Sequence, residues 1–321
     1  MHRLLAAAAA LALAVPSAAQ QAPAPAAEIP SPGEIAAAAP AKDWIAIPAS
    51  DLLMMDLAPD AAGKPRRVVI QLMPAPFSRG WIGNIRKLAA AHWWDGTSVN
   101  RVQDNYVAQW GDATEKKPLP EGLAVVPESE YVREADHFFS HRFASGFNVQ
   151  TLPNKKSPVL VPDSYKTLTE AIFGWPFASD GKQFWPVHCY GMVGVGRNMS
   201  PDTGSGAELY TVIGHAPRHL DRNIALVGRV ISGIEHLSSL PRGTEALGFY
   251  GSEAERVPIT SVRIATELAS VDQPKFEYLS TESDSFLKYA DARANRRDPF
   301  FIKPAGGADI CNIPVPVRAV K

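Results

Sequence analysis

The segment 93–112 places polar and apolar side chains at a spacing that suits a ligand site. A strand-like run alternates polar and apolar residues around Arg101, and a second apolar run leads to Gln109 eight residues later. If the two runs pair, a guanidinium and a carboxamide share one face of a sheet with Tyr106 and Val107. An apolar hollow with hydrogen-bond donors on its wall is the usual composition of a binding site.

The same segment is similar to the cyclophilin-type peptidyl-prolyl isomerases. Their barrel carries Y-x-G-x-x-F-H-R-V, then G-F, then Q-G-G-D, and the matching residues here are Trp94, Gly96, Val99-Asn100-Arg101-Val102, Tyr106 and Gln109-Trp110-Gly111-Asp112. Further on, G-x-x-S-M-A-N resembles residues 191–197, N-G-S-Q-F-F-I resembles 205–211, and W-L-D-G-x-H-x-x-F-G resembles 219–228. The resemblance covers roughly residues 66–112 and 187–265.

This resemblance implies an isomerase that acts on X–Pro bonds of proline-containing polypeptides, with Arg101 as the catalytic residue. It implies that Tyr106, Val107, Tyr210 and Leu220 form a cup for the proline ring and that Gln109 helps to fix the substrate backbone. Three further family positions in contact with substrate fall on Arg197, Glu208 and His219. Such a mechanism needs no base, nucleophile, metal or cofactor, and we expect none.

Several family residues are replaced in this chain. Asn100 stands where the family has a histidine before the arginine, and Glu208-Leu209-Tyr210 stands for Q-F-F. The family asparagine falls on Arg197, and the tryptophan falls on His219. A peptide-binding chaperone or scaffold without turnover is therefore the main alternative to an active isomerase.

The resemblance and the strand pattern together predict a mainly β fold: a closed, antiparallel, eight-stranded barrel with two covering helices. The expected strands are 67–72, 98–102, 106–111, 187–195, 208–214, 224–230 and 259–265, and the apolar segment 43–57 precedes them. Helices are expected over 80–92 and 231–240. We place the barrel at 42–267.

Two additions to the barrel are predicted. Residues 113–186 form a long, polar, Pro-containing insertion, because a compact barrel needs no such crossing. Residues 268–321 form a C-terminal extension, in which a helix begins near Ser283. His137 and His141 in the insertion stand at i, i+4, but no third ligand is indicated nearby, so a metal site is not expected.

The N-terminus has the pattern of an export signal. One arginine precedes an apolar run of about a dozen residues, which is shorter than the ~20 needed to cross a bilayer, and a small-residue cleavage site ends at Ala19. Residues 1–19 are thus predicted to be a cleaved signal peptide, and the Ala/Pro-rich stretch 20–41 a semi-extended linker. We expect a periplasmic or secreted protein with no membrane span.

Charge and cysteine content narrow the choice of partners. The net charge is −1 with both signs well mixed, so neither nucleic acid nor an anionic membrane surface is indicated.

The two cysteines, Cys189 and Cys311, either form a disulfide that ties the tail to the core or remain as separate buried thiols. The sequence does not decide between these, nor does it give the oligomeric state.

A hydrolase is the most distant alternative. Asp202-Thr203-Gly204-Ser205 matches the D-T-G-S of aspartic proteases, in which two carboxyl groups share a proton. No apolar strand leads directly into the motif and no second copy exists in the chain, so such an activity would require a dimer.

Overall fold

The computed structural model describes residues 29–134, 161–162, 164–165 and 168–320. In this part of the chain the α-helices are α1 Pro32–Ala37, α2 Arg79–Ala90, α3 Glu235–Ser238 and α4 Asp284–Ala294. The strands are β1 Trp44–Ile47, β2 Leu52–Leu57, β3 Arg66–Leu72, β4 Ser98–Val102, β5 Val107–Gly111, β6 Arg133–Glu134, β7 Val161–Pro162, β8 Leu168–Ile172, β9 Trp175–Ser179, β10 Gln183–Pro186, β11 Met192–Val195, β12 Leu209–Val212, β13 Leu226–Ser232, β14 Val257–Ile264, β15 Phe276–Leu279 and β16 Val317–Ala319. No helix within these ranges is long and apolar enough to span a membrane.

Eight strands close a barrel in the order β11-β12-β5-β4-β14-β2-β3-β13, and each neighbouring pair is antiparallel. The predicted fold class is confirmed. The long helix α2 covers the barrel through Trp81, Ile85 and Leu88, which recur on one helical face and are fully buried. The second covering helix, α3, is a single turn of four residues.

Strands β2 and β3 are apolar on both faces, and the structure shows why. Leu53 and Met55 point into the barrel core, whereas Leu52 and Met54 belong to a separate outer cluster. That outer cluster is covered by side chains of the C-terminal extension, among them Phe276 and Tyr278 of β15. Successive residues of a strand point to opposite faces, so both sets are removed from water.

Some predicted boundaries are wrong. The strand expected over 187–195 begins only at Met192, because residues 187–191 turn: the amide of Cys189 donates to the carbonyl of Val187, and Gly191 has φ +79°. The helix expected over 231–240 is reduced to α3, since β13 runs on to Ser232 before Gly233 turns the chain at φ +82°. The strand predicted over 224–230 starts at Leu226, after a 3-10 turn.

The predicted insertion contributes a second, five-stranded sheet in the order β6-β10-β9-β8-β7. Its hairpin β8–β9 turns tightly at residues 173–174 and is attached to the barrel by Arg229 of β13. The Arg229 guanidinium is buried, donates from Nη1 to the carbonyl of Gly174 at 2.7 Å, and lies over the ring of Trp175 at 4.6 Å. His137 and His141 lie outside the described residues.

The C-terminal extension packs back onto the rest of the chain. Its strands β15 and β16 form a three-stranded sheet with β1, so the first strand of the predicted barrel region pairs with the extension. Cys189 and Cys311 form a disulfide, which settles the question that the sequence left open. The semi-extended linker predicted over 20–41 is wrong for residues 32–37, where Ser31 caps helix α1, and α1 lies against α4. Residues 1–28 lie outside the described part.

Candidate functional site

A groove of about 730 Å³ runs across the barrel surface where β4, β5 and β12 lie side by side. Eight of the nine site residues predicted from the sequence line it, and these are Arg101, Tyr106, Val107, Gln109, Arg197, Glu208, Tyr210 and Leu220. The exception is His219, which is exposed and stacks on the ring of Tyr106 at a centroid distance of 6.3 Å.

Arg101 is held as a half-buried cation at the centre of this surface. It stands opposite Gln109 across β4 and β5, so the two side chains share one face of the sheet as expected if the two runs pair, and its Nη1 donates to Oε1 of Gln109 at 3.0 Å. Its Nε donates to the carbonyl of Leu247 at 2.7 Å, and Nη2 donates to Gln103. A guanidinium has five N–H groups, so two remain without a partner among the described residues.

The charge of Arg101 is not neutralised by an ion pair with any described carboxylate. Burial lowers its pKa from the usual range, because the charged form loses hydration. The rings of Tyr106 and Phe249 lie 5.8 and 5.3 Å from the guanidinium carbon, and their faces offer it partial compensation. The groove thus contains a preorganised positive charge with free donors.

An apolar cup lies beside this charge. Val107 and Tyr210 are buried, belong to one cluster with Val212, and are flanked by the partly buried Tyr106 and Ile224. Leu220 also lines the groove. The predicted cup of Tyr106, Val107, Tyr210 and Leu220 is therefore assembled from β5, β12 and the 3-10 turn Arg218–Leu220.

Glu208 places a carboxyl in the wall of the groove. Its Oε1 accepts a hydrogen bond from the amide of Asp112 at 2.7 Å, and its side chain is also hydrogen-bonded to Asn100 and Gln109. A Cβ on Gly111 would lie 2.1 Å from the Glu208 carboxyl carbon, so this glycine makes the room. Burial raises the pKa of Glu208 to about 7, and these hydrogen bonds only partly oppose the shift.

The rim of the groove that carries Arg197 is held by hydrogen bonds from side chains to backbone carbonyls. Arg197 donates from Nε to the carbonyl of Asn223 at 3.0 Å. The following loop is held by helix α2: Trp81 donates to the carbonyl of Gly204 at 3.0 Å and Asn84 to that of Ser205 at 2.9 Å. The helix therefore fixes one edge of the groove as well as covering the core.

The opposite edge was missed by sequence reasoning. Leu247, Phe249 and Tyr250 line the groove, and Phe249 forms an isolated bridge with Arg101. Leu247 has φ +59°, which places its carbonyl against Arg101. Aromatic residues in a Gly-containing loop were the only indication, and they do not reveal which strand the loop will meet.

The structure also shows what the D-T-G-S match at Asp202 forms. Asp202 accepts hydrogen bonds from the amides of Asn198 at 2.9 Å and Gly204 at 3.0 Å, and these bonds lower its pKa. The D-T-G-S match is therefore a turn stabilised by an ionised aspartate, and this leaves no basis for a proton shared with a second carboxyl. No cluster of three or more potential metal ligands occurs among the described residues.

Comparisons with known proteins agree with this geometry. The family model for cyclophilin-type peptidyl-prolyl cis-trans isomerases matches residues 68–266. The structure is similar to a crystal structure of the cyclophilin AquaCyp293 from Hirschia baltica, with a TM-score of 0.62 and 21% identity over 86% of this chain and 93% of that chain. No curated protein sequence matches the chain.

Two weaker structural matches are to a cyclophilin-type isomerase from Cryptosporidium parvum. One of these structures was determined in the presence of the dipeptide Ala-Pro. That match has a TM-score of 0.37 and 10% identity over 66% of this chain and 98% of that chain. The second structure has the same TM-score and identity, and the match covers 66% of this chain and 97% of that chain.

The closed barrel and the arginine-centred groove define a barrel-type prolyl isomerase. Since the family model covers more than half of its length, this chain belongs to the cyclophilin-type peptidyl-prolyl cis-trans isomerases.

Proposed function

We propose that this protein catalyses the cis–trans isomerisation of X–Pro bonds in exported polypeptides and thereby assists their folding. The observation that carries the proposal is the Arg101 guanidinium, which lines the groove beside the apolar cup and keeps two N–H groups without a partner among the described residues.

The chemistry requires no covalent step. Amide resonance sets a barrier of about 20 kcal/mol, so rotation about an X–Pro bond takes tens of seconds or longer. In the twisted transition state the prolyl nitrogen loses conjugation and accepts a hydrogen bond more readily. A donor fixed beside that nitrogen stabilises the twisted state more than the planar one, and this preference is what accelerates the reaction.

The surroundings of Arg101 support this role. Its contacts with Leu247, Gln103 and Gln109 fix the guanidinium before substrate binds, so little reorganisation is needed. The cup of Val107 and Tyr210 would hold the proline ring in both the planar and the twisted state. Gln109 and Glu208 offer polar groups to the substrate backbone on the same wall.

Export is supported by two independent features. The N-terminal sequence has the pattern of a signal peptide ending at Ala19, and disulfides such as Cys189–Cys311 persist mainly in oxidising compartments. Expression of the full chain followed by fractionation and mass measurement tests this part. We expect the chain in the envelope or medium with residue 20 as its first residue; an uncut chain in the cytosol would contradict it.

An isomerisation assay on a tetrapeptide with one X–Pro bond tests the activity. We expect the mature protein to exceed the uncatalysed rate, and Arg101→Ala to lower kcat/KM by about a hundredfold, the typical loss when one preorganised donor is removed. Arg67→Ala is the matched control, because Arg67 lies on β3 outside the groove and pairs with Asp56. Equal rates for wild type and Arg101→Ala would refute the role of Arg101.

The second candidate is peptide binding without turnover. It is favoured by the replacements Asn100, Arg197 and Glu208, which change the polar wall of the groove while leaving the cup intact. Binding of the same tetrapeptide, with no rate above background, would support this candidate over the isomerase.

A further inference from the structure

A chain of buried polar groups lies directly behind the proline cup. The hydroxyl of Tyr210 is 3.0 Å from Nε2 of His188, and Nδ1 of His188 is 2.9 Å from Oδ1 of Asp221. The other oxygen of Asp221 accepts from Nε of Arg218 at 2.6 Å. His188 is 0% exposed and the other three residues are between 4% and 7% exposed.

The direction of these hydrogen bonds follows from the chemistry of the groups. Asp221 accepts at Oδ1 from both the backbone amide and Nδ1–H of His188. In the tautomer that donates from Nδ1 to Asp221, Nε2 is an acceptor, and the Tyr210 hydroxyl donates to it. Burial raises the pKa of Tyr210 well above its usual value, which keeps that hydroxyl protonated.

His188 thereby contacts both walls of the cup. On one side it holds the ring of Tyr210, which lies parallel to the imidazole with 11° between the planes. On the other side it holds Asp221, the residue that ends the 3-10 turn Arg218–Leu220. That turn presents Leu220 to the groove and His219 to the ring of Tyr106.

We propose that His188 is a positioning residue that fixes the spacing between Tyr210 and the turn 218–221, and so sets the width of the proline cup. The inference rests on the proposed function, because it assigns a role in the same site. His188 touches neither the groove nor the reacting atoms and acts through Tyr210 and Asp221.

The C-terminal extension contacts this series of buried polar groups. Cys189 follows His188 directly and is bonded to Cys311, and Asp309 lies 3.7 Å from Nη1 of Arg218. The segment that carries His188 is therefore tied to the tail at the next residue. This gives the extension a function at the site, which the barrel sequence alone does not suggest.

A set of four variants tests the proposal. His188→Asn keeps a polar group near Nδ1 but cannot reach Tyr210, whereas His188→Gln reaches further and retains a partner for the Tyr210 hydroxyl. Tyr210→Phe removes the same contact from the other side, and the double variant His188→Asn/Tyr210→Phe closes a thermodynamic cycle. Peptide concentration is varied so that KM and kcat are obtained separately.

We expect His188→Asn and Tyr210→Phe each to raise KM about tenfold, within the usual range of coupling between contacting residues, and to leave kcat within about twofold. A wider cup weakens binding of the ring in the planar and twisted states alike, which raises KM alone. The double variant should be no worse than either single variant, and His188→Gln should recover most of the loss.

Additive losses in the double variant, or a wild-type KM for Tyr210→Phe, would overturn the proposal. Thermal unfolding of each variant shows whether it is folded, and if His188→Asn fails to fold, Tyr210→Phe alone decides, since it removes a single oxygen atom. A merely structural role would lower the unfolding temperature and the folded fraction without changing KM.

Failure of the proposed function can be distinguished from failure of the inference about His188. If wild type and Arg101→Ala both show only the background rate, the isomerase proposal fails, and crystal structures of wild type and His188→Asn decide the inference. A shift of the Tyr210 ring or of the turn 218–221 by about 1 Å, a displacement large enough to matter at a reacting site, would support it. Unchanged positions would overturn it.

Discussion

Glu208 is the groove residue whose charge depends most directly on conditions near neutrality. Its carboxyl is desolvated against Gly111, and its folded-state pKa of about 7 lies above the ordinary 4.5. Hydrogen bonds link it to Gln109, which in turn accepts from Arg101. A change in the charge of Glu208 therefore reaches the Arg101 guanidinium through the single amide of Gln109.

This raised pKa predicts a pH-dependent loss of stability. Between about pH 4.5 and 7 the folded chain binds more protons at Glu208 than the unfolded chain, so the free energy of unfolding falls as pH rises through this window. The variant Glu208→Gln removes this titrating carboxyl and its contribution to the pH dependence of the free energy of unfolding. We expect its stability relative to wild type to increase by on the order of 2 kcal/mol from pH 4.5 to pH 8, after allowance for solvent screening.

Urea unfolding of wild type and Glu208→Gln at several pH values measures this difference. Glu235→Gln is the matched control, because Glu235 lies on α3 with a side chain that is 69% exposed. A Glu208→Gln curve parallel to that of wild type at all pH values would show that Glu208 has an ordinary pKa.

At the residue scale the sequence predicted the groove but not its supports. Arg101, Gln109 and Tyr106 were found because a short stretch carries them at strand spacing, where a local pattern is sufficient. His188 and Asp221 are 33 positions apart and meet only when the turn 218–221 closes on the segment before β11. A contact of that kind depends on tertiary packing, and no local pattern encodes it.

At the scale of elements, hydrophobic periodicity predicted the barrel strands but not the residues at which some of them begin. Strand β4 lies over Ser98–Val102, as predicted, because turn residues bound it on both sides. Residues 187–191 were expected to belong to the strand that follows, yet they turn, because the amide of Cys189 bonds to the carbonyl of Val187 and Gly191 has φ +79°. Apolar composition reports burial, and it does not report hydrogen-bond direction.

The disulfide is the element-scale feature with the clearest energetic consequence. Cross-linking Cys189 to Cys311 restricts a long loop of the unfolded chain and holds the extension near His188. Cys189→Ser/Cys311→Ser should lower the free energy of unfolding by about 2–5 kcal/mol. Denaturant unfolding of both proteins measures this; wild type in a strong thiol reductant should approach the variant, and the variant itself should not respond to the reductant.

On the scale of the whole molecule, the hydrophobic core is continuous across all three regions. One cluster of buried side chains contains Met55 of the barrel, Trp175 of the insertion hairpin, and Phe286 and Ile310 of the extension. Arg229 of the barrel adds a polar contact to the hairpin, donating to the carbonyl of Gly174 at 2.7 Å, while its Nε donates to Gln71 of β3 at 2.9 Å. The additions are thus parts of one packed body around the groove.

A shared core predicts that these regions unfold together. Elements that open independently do so at lower free energy than the global transition, whereas elements that bury one another's apolar surface must open as a unit. Hydrogen exchange at increasing denaturant, followed by mass spectrometry, compares amides of β2, β9 and α4. We expect their opening free energies to converge on the global value at the same denaturant concentration, because removing any one of them exposes the apolar faces of the others. Early exchange confined to α4, with β2 still protected, would instead mean that the extension is an independent unit. The brace behind the proline cup could then open without unfolding the barrel.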